Sequence, residues 1–210
     1  RLLQRTLLAY IGHAIDDFPC DPETIFEVVV AGNSTMRDLF FGLDVYTIGQ
    51  RPYRSLTEHE LLDGKRSTTS LTMPARRLHL PAHAAARVYG LPILSGHVGA
   101  DAAACILATG LLDEERLVAV MDIGTNTEIL VGNRDRVFAA SCPAGPAFEG
   151  GLVMSGMPAL DGAIESVRLQ DDGSVSCGVL GGGAPRGICG SGLVDMLAEL
   201  LRAGRMDLLG

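Results

Sequence analysis

Five consecutive residues, Asp122-Ile123-Gly124-Thr125-Asn126, join the apolar runs Val118 to Met121 and Thr127 to Val131, and their types suit phosphate chemistry. Gly124 permits a tight turn in which backbone N–H groups converge on an anion. Thr125 and Asn126 add side-chain donors, and the Asp122 carboxylate can hold a hydrated Mg²⁺. The same string would also serve as an ordinary hairpin tip, because turns favour these residue types. Other stretches carry comparable choices. Gly32-Asn33-Ser34-Thr35 follows a valine run and precedes a helical pattern, so Asn33 and Ser34 either line a cleft at the carboxyl end of a strand or only cap a helix. Asp101 falls in the first turn of an alanine-rich helix, where a carboxylate complements the helix dipole or points into a cleft. Glu149 stands alone in the glycine- and proline-rich loop Pro143 to Gly151. It can serve a metal-bound water or orient a nucleotide, or it is an N-terminal helix charge. Gly187-Ile188-Cys189-Gly190-Ser191-Gly192 opens a helix, where its N–H groups, with Gly190 and Ser191 foremost, suit an anion; tight helix packing explains the string equally well.

The elements that must position these residues follow from periodicity. Leu3, Leu7, Leu8, Ile11, Ile15 and Phe18 predict an amphipathic helix over about 2–18, closed by Pro19. Glu27 to Ala31 reads as a short buried strand, followed by a helix over about 36–41. Residues 44–80 show no sustained period and read as irregular, with a strand near Leu78. A strand is expected over 87–94, a small-residue helix over 100–109, and a three-strand meander over 117–122, 127–131 and 137–142. Val118 to Met121 is continuously apolar, as in a strand buried on both faces. Ala163 to Leu169 and Val175 to Val179 pair across Asp171-Asp172-Gly173, and a last helix covers about 193–203. The polar break Asp113 to Arg116 is the expected boundary between two lobes.

A chain of 210 residues that is 47% apolar can bury a sizeable core. Its formal net charge of −8 argues against nucleic acid or an anionic membrane as the main partner. Five cysteines, widely spaced and odd in number, fit reduced thiols in a cytoplasm better than a disulfide framework or a zinc site. His59, His79, His83 and His97 are scattered without a second ligand at metal spacing. The chain opens on Arg1 within a helical pattern and stops at Gly210 after another, so it reads as an excerpt of a longer protein.

Taken together, the Asp122 to Asn126 loop in a meander, the polar strand-end loop before it and an alanine helix between them resemble the actin, sugar-kinase and heat-shock-chaperone ATPase superfamily. The resemblance becomes specific at Ala31 to Met36, Gly96-His97-Val98-Gly99-Ala100-Asp101, Asp122 to Glu128, Ala144 to Gly150 and Gly187 to Gly192. In that order these motifs are similar to the C-terminal ATPase domain of the reductive activators of corrinoid proteins, iron–sulfur proteins that use ATP to reduce cob(II)amide to cob(I)amide on a methyl-transferring partner. The likeness covers about residues 20–205. It implies an α/β, actin-like (ribonuclease-H-like) fold, present in part, with two lobes that each carry a mixed sheet flanked by helices. Residues 1–113 would be the remainder of the first lobe with its hinge helix, and 114–210 the first part of the second.

The resemblance also implies ATP and Mg²⁺ as cofactors, a corrinoid protein as partner and a cytoplasmic setting, and it allows a homodimer. Asp122, Gly124, Thr125 and Asn126 would face phosphate, with Asp122 toward the metal, and Asn33, Ser34, Gly190 and Ser191 would line the nucleotide cleft. Asp101 and Glu149 are the catalytic candidates. Glu128, one pleat beyond the loop, points toward it or into solvent. A [2Fe–2S] domain is expected only upstream of Arg1, since its closely spaced cysteines are absent here. The piece alone is expected to be inactive. Two other functions stay open: a small-molecule kinase of the same superfamily with Asp101 as general base, and a non-catalytic interaction module.

Overall fold

The computed structural model describes residues 1–207. They form two compact units: residues 1–122 with 128–141, and residues 123–127 with 142 onward. The first unit opens with helix α1 (Leu2–Asp16), strand β1 (Glu27–Val30) and helix α2 (Ser34–Phe40). Helix α3 (Leu56–Leu62) and strands β2 (Leu71–Pro74) and β3 (Arg87–Gly90) follow. β3 is central in its sheet. It pairs parallel with β1, Glu27 opposite Arg87, and antiparallel with β2, Leu71 opposite Gly90. Because β1 and β3 run parallel, the Gly32–Asn33 loop after β1 and the segment after Gly90 leave the same end of the sheet.

The apolar stripe of α1 does what its spacing requires. Leu7, Leu8, Ile11 and Ile15 pack on a core of Phe40, Phe41, Leu78, Leu80 and Val88. Each such side chain withdrawn from water contributes about 1.5–3 kcal/mol. A second core forms where helix α4 (Ala100–Ala108) meets the meander β4 (Val118–Ile123), β5 (Asn126–Asn133) and β6 (Arg136–Pro143). There Ala102, Ile106, Leu111 and Leu130 are buried, with Val118, Val120 and Val137 packed around them.

At one end of the first sheet lies a charged network that no sequence pattern announces. Arg37 and Asp38 on α2 are 1% and 0% exposed. The Arg37 guanidinium donates to Asp38 Oδ1 at 2.6 and 3.0 Å, to Thr57 Oγ1 at 2.9 Å, and to the carbonyl oxygens of Thr69 and Leu91 at 2.8 and 3.2 Å. The Ser55 hydroxyl donates to the other Asp38 oxygen at 2.6 Å. One side-chain cluster thus pins α2, the start of α3 and the stretches just before β2 and just after β3, which lie at the same end of the sheet.

The second unit is built on β7 (Ala163–Leu169), paired antiparallel with β8 (Val175–Val179) and parallel with the short β9 (Gly187–Ile188). Helix α5 (Gly190–Arg202) lies on β7. A side chain at Gly192 would meet the Ile164 carbonyl, so glycine is what lets the helix come so close. Glu199 on α5 is buried and accepts from the Leu169 backbone N–H at 2.8 Å, from Arg168 at 3.2 Å and from Arg202 at 2.8 and 3.1 Å. The Arg202 hydrogen bonds, followed by the Leu169 N–H, hold its carboxyl at about 2. Because the folded value is depressed, the stability it supplies is complete above its ordinary 4.5 and is lost as pH falls from there toward about 2. Glu199→Gln should therefore flatten the acid limb of a stability-against-pH curve in that window, as followed by urea unfolding.

Several expectations need correction. Residues 44–80 are not irregular throughout: they hold α3 and β2, and the strand expected near Leu78 is instead a turn of 3₁₀ helix, Ala75–Leu78. The 87–94 strand stops at Gly90, since Pro92 cannot donate to a ladder. α5 begins at Gly190, with the glycines inside its first turn. β4 is not buried on both faces. Met121 and Ile123 are 56% and 50% exposed, while Val118 and Val120 on the other face pack on the second core.

Candidate functional site

In the second unit the structure draws together residues far apart in sequence. The Thr125 hydroxyl donates to Glu149 Oε1 at 2.7 Å, and the N–H groups of Ala144 and Gly145 both donate to the Thr125 carbonyl, at 3.0 and 2.9 Å. The turn itself is closed by the Gly124 N–H on the Asn126 carbonyl at 3.1 Å. Hence the glycine- and proline-rich loop is held against the Gly124–Asn126 turn. The Thr125 hydroxyl lowers the Glu149 pKa below its ordinary value, so this side chain is a carboxylate at neutral pH. A cavity of about 590 Å³ opens beside it, lined by Ile123, Phe148, Glu149, Cys189, Gly190 and Ser191 among others. That volume is within the usual range for a small-molecule site.

The α5 end of the cavity has its own chemistry. Cys189 is buried, 3% exposed, with its thiol 3.3 Å from the Ile164 carbonyl and 3.4 Å from Ser191 Oγ. Burial pushes the thiol up, but hydrogen bonds from Ser191 and from the N–H groups of Gly192, Ser191 and Cys189 outweigh it, and the net shift is downward. Gly190 has a packing reason to be glycine, since a side chain there would meet the Phe148 carbonyl. Of the two readings of the glycine string, packing therefore accounts for Gly190 and Gly192, and the polar contribution to the cavity comes from Ser191.

The first unit holds the remaining candidates. The Gly32 carbonyl accepts the N–H groups of Ala100 and Asp101 at 2.9 and 3.3 Å, so the strand-end loop and the start of α4 abut. A side chain at Gly99 would come within 2.6 Å of both Asn33 Cα and Asp101 Oδ1. Asn33 is the N-cap of α2, its Oδ1 accepting from Met36 N–H at 2.9 Å, and Ser34 is buried with its hydroxyl on the Ser95 carbonyl at 2.8 Å. Asp101 Oδ1 accepts the Ala102 N–H at 2.8 Å. Burial raises the Cys105 thiol pKa, and the charges of Asp122, Asp101 and Glu128 raise it further. Glu128 points inward: it is 7% exposed and accepts from the Ser141 hydroxyl at 2.8 Å.

Sequence reasoning named Glu149 and Thr125 separately and missed their pairing, for which a separation of 24 residues leaves no local signal. It also passed over Cys189 and Cys105 as ordinary reduced thiols. Among the described residues no group of three or more His, Cys, Asp and Glu is placed to hold a metal ion, and no helix is long and apolar enough to cross a membrane.

Comparison with known proteins agrees along the whole chain. Residues 116–210 match the family profile described as the C-terminal domain of RACo, the ASKHA domain, and residues 1–114 match the RACo middle region. A solved structure, a reductive activator for corrinoid, iron–sulfur protein, superposes with a TM-score of 0.83 at 35% identity, over 98% of this chain and 32% of that one. The fold is thus the α/β fold of the actin-like ATPases. Within that class, the chain belongs to the RACo family of reductive activators of corrinoid proteins. The corrinoid activation enzyme RamQ of Eubacterium limosum is 36% identical over 202 residues, which are 96% of this chain and 32% of that protein. The [Co(II) methylated amine-specific corrinoid protein] reductase of Methanosarcina barkeri is 43% identical over 79 residues, 38% of this chain and 15% of that protein. The chain spans about a third of the length of the first of these relatives and of the solved structure.

Proposed function

We propose that this chain is the nucleotide-handling core of an ATP-dependent activator that drives a corrinoid protein from cob(II)amide to cob(I)amide. The observation that carries the reading is the Thr125–Glu149 hydrogen bond, which sets an ionised carboxylate beside an Asp-x-Gly-Thr turn and a cavity of nucleotide-compatible size. Gly124, Thr125 and Asn126 offer close backbone approach and donors to phosphate, and Ser191 offers a hydroxyl from α5. Glu149 aligns and accepts a proton from an attacking water, with the Thr125 hydroxyl fixing its orientation. Asn33 and Ser34 fix the strand-end loop, and Asp101, beside it, is the second acidic candidate. Mg²⁺ usually takes one or two carboxylates together with water and phosphate oxygens, so a three-ligand protein cluster is not required, and Asp122 is the carboxylate proposed to hold it. When bound, the ion would neutralise charge on the phosphates.

Nucleotide-dependent closure would then shift a redox equilibrium on the bound partner, coupling hydrolysis to uphill electron transfer. The electron is proposed to come from a [2Fe–2S] domain elsewhere in the whole, cytoplasmic protein, with residues 1–113 and 114–210 belonging to successive ATPase lobes. A homodimer is compatible with this scheme. A small-molecule kinase is not favoured, because the relatives matched along the chain are corrinoid activators.

The test uses the full-length protein with its reductant and corrinoid partner, followed by cob(I)amide absorbance. Formation should require ATP. In Asp122→Asn, losing a charge-assisted contact of about 1.5 kcal/mol or more, the ATP-dependent rate should fall on the order of tenfold. Reduction of an easily reduced artificial acceptor should survive. ATP-independent cob(I)amide formation, or a phosphorylated small-molecule product, would overturn the reading.

A further inference from the structure

Away from the nucleotide cavity, one face of α1 and the segment 76–81 enclose a groove of about 810 Å³ in the first unit. Its floor is apolar, made by Leu8, Leu78 and Leu80, and Pro81 packs close to Gly12, where a side-chain carbon would stand 3.7 Å from the proline ring. Its rim is cationic or titratable: Arg5 and His13 on one side, Arg76 and His79 on the other, against a single carboxylate, Asp16. Neither Arg5 nor Arg76 has an ion-pair partner among the described residues. His79 holds a left-handed backbone, φ 54 and ψ 33, a conformation that non-glycine residues adopt rarely.

The sign of this surface is against the trend of a chain with net charge −8. Guanidinium groups without an ion-pair partner, set over a leucine-lined floor of which half-buried Leu8 is the most accessible part, match carboxylates carried on a segment that also has apolar residues, since an arginine fork binds a carboxylate through two parallel hydrogen bonds. A small-molecule site usually buries most of its ligand, whereas the rim side chains here are exposed, which favours a polypeptide occupant.

We infer that this groove docks an acidic, apolar-anchored segment of the corrinoid-protein partner, an inference that rests on the function proposed above. Charge complementarity of this kind acts on encounter rate and specificity, and it weakens with salt. The experiment compares full-length protein with its Arg5→Glu/Arg76→Glu variant. Association is measured at low and high salt with the corrinoid protein, and separately with a short fluorescein-labelled peptide of glutamate carrying leucine at every fourth residue. Both affinities should fall about tenfold or more in the variant, with a shallower salt dependence, while ATP affinity stays unchanged. Wild-type affinity and salt dependence in the variant would overturn the inference. So would a lowered Tm with both affinities intact, which would assign the groove to the protein's own chain. If the unsubstituted protein binds the peptide and not the corrinoid protein, the proposed function fails while the acidic-segment groove is supported.

Discussion

Full-length protein carrying Glu149→Gln should hydrolyse ATP on the order of a hundredfold more slowly, the usual scale for losing a general base. ATP affinity should change by no more than about twofold, since a base in contact with water contributes to the transition state more than to ground-state binding. The substitution keeps the shape and a carbonyl oxygen for the Thr125 hydroxyl, so the loop contact at 2.7 Å survives in form. The pH profile gives a second readout. The wild-type carboxyl titrates below its ordinary value, so wild-type turnover should hold level down into the acid carboxylate range, and the variant should lack that limb. Single-turnover quench kinetics separate the chemical step from nucleotide release. An unchanged chemical rate would leave Glu149 only the structural role of tying its loop to Thr125.

Arg37→Met should lower unfolding stability by about 3–5 kcal/mol, because it strands the Asp38 carboxylate in a site with 0% exposure. Only the Ser55 hydroxyl would remain to solvate it, and the carbonyls of Thr69 and Leu91 would each lose a donor. Replacing both charges, Arg37→Met with Asp38→Leu, should restore much of the loss, as an apolar pair of similar volume carries no desolvated charge. Urea unfolding of the two variants measures the difference directly. A single substitution costing less than about 1 kcal/mol would mean that water enters the network and screens it.

The elements that the sequence disclosed are those whose information is local. The period of Leu7, Leu8, Ile11 and Ile15 marks α1, the glycine at 173 marks the β7–β8 turn, and the paired apolar runs mark the meander. α3 escaped notice because its seven residues, Leu56–Leu62, are too few to show a period and begin only on a Ser55 cap. β4 was misread as buried on both faces because an apolar run looks the same whether or not its second face is covered. In the site, Thr125 and Glu149 were each legible as types suited to phosphate chemistry. Their pairing depends on the Ala144 and Gly145 N–H groups folding a loop back onto the turn, a long-range event without a sequence period. The string around Gly190 and Gly192 left anion binding and tight packing open in the sequence, and the close Phe148 and Ile164 carbonyls account for these two glycines by packing.

The chain passes between its two compact units at residues 122–123, 127–128 and 141–142, so the tip of one hairpin belongs to the second unit while its strand stems belong to the first. Such interleaving governs how the protein can be made. On a ribosome the first unit stays incomplete until Ser141 has emerged, and α4 must wait with Ile106 and Ala102 uncovered until Leu130 is synthesised. No single cleavage, gene truncation or transposed start point can separate the two units intact. An insertion that lengthens the Ile123–Thr127 tip would fall in the second unit, between two segments of the first.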